Sequence, residues 1–140
     1  MVGIVVATHG HLAQELVSTA EQIVGKLEAV STCNIEPTNS ASEIQRRVDQ
    51  AVASVDSGQG VIVFTDLLGG TPCNQSLTLT RDHKLEVITG INLPMLLKAS
   101  TLRTEMASLP ELASTLARYG QKNITCASAL VRGAAVPGER

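Results

Sequence analysis

An open, doubly wound α/β sheet is predicted by the way this sequence is punctuated. Short β-branched runs alternate with helical apolar stripes, and turn residues separate them throughout. No internal repeat or linker divides the 140 residues, a length suited to one domain. Gly3–Thr8 is a continuous apolar run of the kind buried on both faces of a parallel sheet. Leu12, Leu16, Val17, Ala20, Ile23, Val24 and Leu27 then recur at helical spacing. Glu28–Ile35 is a weaker strand. Ser40 and Glu43 have capping-box spacing ahead of a stripe through Ile44, Val48, Val52 and Val55.

The turn-like Asp56–Gly60 leads into Val61–Thr65, the clearest central strand. Thr71 is the expected N-cap of a short helix with Pro72 at its first position. Leu85–Thr89 is a further strand, and Pro94 opens a helical run through Met106. Pro110 separates that run from a helix over Glu111–Tyr119, ended by Gly120. Asn123–Ser128 is read as a final strand. Residues 1–131 form the expected single domain, and Arg132–Arg140 a loose tail. The common strand order for such a fold is 2-1-3-4, mostly parallel, with helices on both faces.

Composition narrows the function. Apolar residues make up 44% and charged residues 17%, the balance of a globular protein. A net charge of −2, and only Phe64 and Tyr119 for stacking, argue against nucleic-acid binding. No apolar stretch approaches the roughly 18 residues of a membrane span. The start lacks the positive region of a signal peptide. Cys33, Cys73 and Cys126 are an odd number without C-x-x-C spacing, which supports neither a disulfide framework nor a zinc site. A cytoplasmic location with reduced thiols is expected.

In open α/β sheets the chemistry gathers beyond the carboxyl ends of the strands, where strand order reverses. Here those ends read Thr8-His9-Gly10-His11, Asp66-Leu-Leu-Gly-Gly-Thr-Pro72 and Thr89-Gly-Ile-Asn-Leu-Pro94. In the order 2-1-3-4 the first and third strands are neighbours, so His9 and Asp66 come together. A carboxylate that accepts the proton of one ring nitrogen leaves the other nitrogen's lone pair free as a nucleophile. Two helix starts, at Gly10–Leu12 and Gly70–Asn74, offer backbone N–H groups, and Thr8 and Thr71 offer hydroxyls. Such donors suit a transferring phosphoryl group. His11 is read as an exposed helix residue, His83 as a solvated loop residue and Cys73 as a small packing residue.

Three segments together resemble the IIA domain of the mannose family of the bacterial phosphoenolpyruvate-dependent sugar phosphotransferase system. They are Gly3-Ile-Val-Val-Ala-Thr-His-Gly10, Asp66-Leu-Leu-Gly-Gly-Thr-Pro-Cys-Asn74 and Val87-Ile-Thr-Gly-Ile-Asn-Leu-Pro-Met-Leu-Leu97. The resemblance implies that His9 takes a phosphoryl group through Nε2 while Asp66 holds the other ring nitrogen. It implies that Gly69, Gly70, Thr71 and Pro72 line the phosphate pocket, with Thr8 and Gly10 beside it. The implied donor is the histidine-containing phosphocarrier protein and the implied acceptor a IIB component, with no metal and no cofactor. A homodimer exchanging an antiparallel edge strand is implied as well, with Asn123–Ser128 the candidate strand. Leu68 stands where relatives often carry an aromatic residue, which points to a different docking surface. The chain stops without a IIB domain, as expected of a free subunit or of a partial, regulatory system.

Other readings are weighed against this one. The phosphotransfer subunit of a dihydroxyacetone kinase shares the fold and a strand-end His. A metal-dependent hydrolase could use His9, His11 and Asp66 as ligands, but the barrel such enzymes need is typically about 250 residues. There is no G-x-x-x-x-G-K-[ST] loop for a nucleotide and no G-x-S-x-G elbow.

Overall fold

A computed structural model describes residues 1–67 and 69–133. Leu68 and residues 134–140 of the expected tail lie outside the described residues. The elements run β1 (Gly3–His9), α1 (Leu12–Val24), β2 (Val30–Ile35), α2 (Ala41–Val55), β3 (Val61–Thr65), α3 (Thr71–Thr78), β4 (Leu85–Thr89), α4 (Leu93–Leu102), α5 (Leu109–Lys122) and α6 (Ala127–Val131). The four strands form one sheet in the order β2-β1-β3-β4, and every pairing is parallel. This is the expected doubly wound arrangement.

Each strand feeds two cores because successive side chains point to opposite faces. Ile4, Val6, Ile62, Phe64 and Ile88 join Leu96, Leu112 and Leu116 on the face covered by α1, α4 and α5. Val5, Ala7, Val61, Val63 and Leu85 join Ile44, Val48 and Val52 on the face covered by α2. The helices leave the sheet in opposite directions on either side of β1 and β3, and a crevice opens between those strands at their carboxyl ends.

Among the local details that depart from the sequence reading, four bear on the architecture. Gly70, not Thr71, is the N-cap of α3, and Thr71 and Pro72 occupy its first turn. The run from Pro94 breaks at Leu102, where Arg103 caps α4. Gly120 does not end α5; the helix continues to Lys122. A Cβ at Gly120 would overlap the Met95 methyl, so this glycine provides close helix–helix approach. Asn92 locks the same contact: its Oδ1 accepts from Met95 N–H at 3.0 Å and its Nδ2 donates to Gly120 O at 3.0 Å. The Gly-Ile-Asn-Leu-Pro segment is thereby accounted for as a helix cap and clamp.

The fourth departure is at the C-terminus. Asn123–Ser128 contains no strand: it is irregular as far as Cys126, and α6 then begins. A strand needs a neighbour for its backbone groups, and among the described residues nothing pairs with the segment. Among the described residues β4 therefore has an open outer edge. No helix among them is long and apolar enough to cross a membrane.

Candidate functional site

The last residue of β1 and the first residue beyond β3 meet across the crevice. Parallel pairing ends with Ala7 opposite Thr65, so His9, two residues on, and Asp66, one residue on, stand diagonally across the two strand ends and within reach of each other. His9 Nδ1 is 2.9 Å from Asp66 Oδ2, and the same oxygen accepts the His9 backbone N–H at 3.1 Å. Asp66 Oδ1 accepts from Leu67 N–H at 3.1 Å. A carboxylate can only accept, so the proton of the His9 ring sits on Nδ1 and the lone pair on Nε2. The His9 side chain is 49% exposed and that of Asp66 14%. The nucleophilic atom is thus presented to solvent while its partner is shielded.

Gly70 packs against this ring. A Cβ there would stand 3.0 Å from His9 Cε1, so the missing side chain lets α3 begin directly beside the imidazole. Gly69 has φ +78° and is held by Asn74, whose Nδ2 donates to its carbonyl at 3.2 Å. Gly70 N–H is spent on Leu67 O at 3.2 Å. The two glycines shape the loop, and the donors come next. Among the described residues, the N–H groups of Thr71 and Cys73 and the exposed Thr71 hydroxyl have no protein partner. These are the orphan donors of a helix N-terminus, where the helix dipole also favours an anion.

The first helix start behaves differently. Thr8 is fully buried, and its Oγ1 accepts from Ala13 N–H at 2.7 Å. Its hydroxyl oxygen anchors α1 beneath the crevice and keeps its own proton to donate. Gly10 N–H donates to Ile35 O at 2.8 Å, so this amide is unavailable to a ligand. Gln14 N–H is taken by Asn34 Oδ1 at 3.3 Å. Among the described residues the His11 and Leu12 N–H groups remain without a partner, so α1 keeps part of the expected donor set, and α3 adds a hydroxyl to its own.

His11 turns away from His9. Its Nε2 lies 3.6 Å from Glu36 Oε1 and its Nδ1 3.4 Å from Asn34 Nδ2. It does not join His9 and Asp66, and no group of three His, Cys, Asp or Glu side chains is gathered for a metal ion among the described residues. The hydrolase reading loses its ligand set. His83 is not a free loop residue: it is half-buried, with Nε2 2.6 Å from Asp49 Oδ1, and it ties the end of the α3 region to α2. Cys73 is buried, as a packing residue should be. Burial pushes the Cys33 thiol up, against the opposing charge of Arg47. The exposed Cys126 thiol is lowered by the Ser128 hydroxyl beside it.

Asn34 went unnoticed in the sequence, although it stands at a strand end as His9 and Asp66 do.

Known proteins share this architecture. The family model described as "PTS system fructose IIA component" matches residues 3–117. The mannose-specific EIIAB component of Escherichia coli strain K12 is 31% identical over 124 residues, 88% of this chain and 38% of its own length. The chain thus spans well under half of that curated relative. The crystal structure of the phosphotransferase system component EIIA from Streptococcus agalactiae superposes with a TM-score of 0.84 at 30% identity, covering 92% of this chain and 99% of its own. The mannose/sorbose specific IIA subunit from Enterococcus faecalis does so with a TM-score of 0.80 at 26% identity, covering 89% and 92%. A match that takes in all four strands, the His9 turn and the Asp66 loop makes this chain a member of the mannose and fructose family of phosphotransferase-system IIA components.

Proposed function

We propose that this chain is a phosphocarrier in which His9 Nε2 receives a phosphoryl group from the histidine-containing phosphocarrier protein and passes it to a IIB component. The observation that carries this reading is the 2.9 Å contact between His9 Nδ1 and Asp66 Oδ2, which leaves Nε2 unprotonated beside the start of α3. The Nε2 lone pair forms the new N–P bond as the donor's N–P bond breaks, and the donor imidazole departs. Positive charge develops on the His9 ring, and the Asp66 carboxylate stabilises it through the Nδ1–H bond. The phosphoryl oxygens accept from the Thr71 N–H, the Cys73 N–H and the Thr71 hydroxyl. Return of the group to a IIB component reverses the same geometry. Neither a metal nor another cofactor is invoked, because the donor arrives already activated.

The test is a transfer reaction with phosphoenolpyruvate, enzyme I and the carrier protein, read by intact mass. Wild type and His11→Ala should each gain one acid-labile phosphoryl group, and His9→Ala none. A wild type that stays unmodified, while a known IIA protein is labelled in the same mixture, removes the reading.

The same proposal makes residues 1–131 one IIA-like domain that works in the cytoplasm as a homodimer. Supporting the dimer are the open β4 edge and the exposed residues 121–133, which display Ile124, Leu130 and Val131 to solvent. An unpaired edge beside an unpacked apolar segment favours pairing with a second chain. Light scattering on a sizing column should give twice the 14.7 kDa chain mass. A single-chain mass at micromolar concentration would refute the dimer and leave the carrier role untouched.

A further inference from the structure

His9 and His11 stand two residues apart, both reach solvent, and each faces a side chain that decides where its ring proton sits. For His9 that side chain is Asp66, an acceptor, so the proton is on Nδ1 and the lone pair on Nε2. For His11 it is Asn34. The orientation of the Asn34 amide follows from Gln14, whose backbone N–H can only donate and which lies 3.3 Å from Oδ1. The Asn34 amide nitrogen therefore takes the other side, where it donates to Gln14 Oε1 at 2.9 Å and lies 3.4 Å from His11 Nδ1. An N–H opposite Nδ1 calls for a lone pair there. The His11 proton then sits on Nε2, on the side of the Glu36 carboxylate, whose Oε1 is 3.6 Å away and beyond hydrogen-bond distance. Asn34 thus selects for His11 the opposite of the tautomer found in His9.

We propose that Asn34 is a specificity-determining residue that confines phosphoryl transfer to His9 by holding His11 in the Nε2–H tautomer. His9 alone then offers an Nε2 lone pair to the crevice, while the His11 lone pair on Nδ1 is covered by the Asn34 amide. Arg47 secures the device from behind, since its Nη1 donates to Asn34 O at 2.7 Å. The biological purpose of this arrangement rests on the phosphocarrier reading. The tautomers and their effect on reactivity do not, so the two can fail separately.

The experiment uses the full chain and phosphoramidate, a small donor that needs no docking surface. An imidazole lone pair forms the N–P bond as the donor P–N bond breaks, and ammonia leaves with the imidazole proton. Wild type, Asn34→Asp and Asn34→Ala are labelled, and the ratio of His11 to His9 modification is read by tandem mass spectrometry. In Asn34→Asp the new carboxylate can still accept from Gln14 N–H but draws the His11 proton to Nδ1 and frees Nε2. The ratio is expected to rise about tenfold, the effect of exchanging one hydrogen bond for a charge-assisted one. Asn34→Ala removes the amide without supplying an acceptor, and about a threefold rise is expected. A ratio unchanged in both variants overturns the proposal. So does a long-range nitrogen–proton spectrum of wild type that finds His11 protonated at Nδ1. That spectrum needs no variant to fold, and it stands even if wild type refuses the phosphoryl group of the carrier protein.

Discussion

Asp66→Asn is expected to slow phosphorylation of His9 at least about a hundredfold, the lower range for losing a positioned group that supports the reacting base. The wild-type carboxylate receives two donors on one oxygen, the His9 ring Nδ1–H and the His9 backbone N–H. An amide oxygen can take both places, but it carries no charge to balance the cation that develops on the ring. If the amide turns over, its N–H group faces Nδ1 and moves the ring proton to the attacking nitrogen. Either outcome costs rate, and neither disturbs the core, because Asp66 contributes to neither apolar cluster. Single-turnover transfer from the phosphorylated carrier protein gives the rate, and thermal unfolding checks the fold. A variant with normal transfer would remove Asp66 from the mechanism.

The opposite end of the sheet should yield the largest loss of stability. Arg103 is the C-cap of α4 and only 5% exposed. Its guanidinium reaches under the starts of β1 and β2: Nη2 donates to Glu28 O at 2.6 Å, and Nη1 to Val2 O and Ala29 O at 3.3 Å each. A cation at a helix C-terminus also opposes the negative end of the helix dipole. Burial draws the guanidinium below its ordinary pKa, with Glu28 working against that shift. Arg103→Met keeps the bulk of the stem and takes the donor from Glu28 O and Val2 O, while Ala29 O keeps the Ile4 N–H at 2.9 Å. Hydrogen bonds to charged groups contribute about 1.5–3 kcal/mol each. With partial rehydration of the freed carbonyls, a loss of about 3–5 kcal/mol is expected. In urea the midpoint should fall at unchanged slope. A change below about 1 kcal/mol would mean that water replaces the side chain without cost. Transfer from the carrier protein, measured where the variant is folded, should remain at the wild-type rate.

The sheet was legible because its strands are short β-branched runs, and a doubly wound order follows once such runs alternate with helices. Legible too was the meeting of His9 with Asp66, since it needs only the strand order and the rule that strand ends carry chemistry. Hydrogen-bond destinations were harder. Thr8 shares the parity of Ile4 and Val6 and therefore points beneath α1, where its oxygen accepts from Ala13 N–H. Gly10 gives its amide to Ile35, a contact set by the β1–β2 register, which no local pattern encodes. Gly120 carries the usual signal of a helix end, yet its place was decided by Met95 and Asn92 on another helix. Asn123–Ser128 has strand-forming residues, but a strand is a relation between neighbours, and the described residues offer the segment none.

The imidazole of His9 has one side closed by Gly70 and one nitrogen held by Asp66, which leaves a single avenue to its free nitrogen. On the phosphocarrier reading proposed above, donor and acceptor both come by that avenue, so occupancy by one excludes the other. Traffic through the chain is then expected to obey ping-pong kinetics, in which an excess of either partner inhibits by keeping the other away.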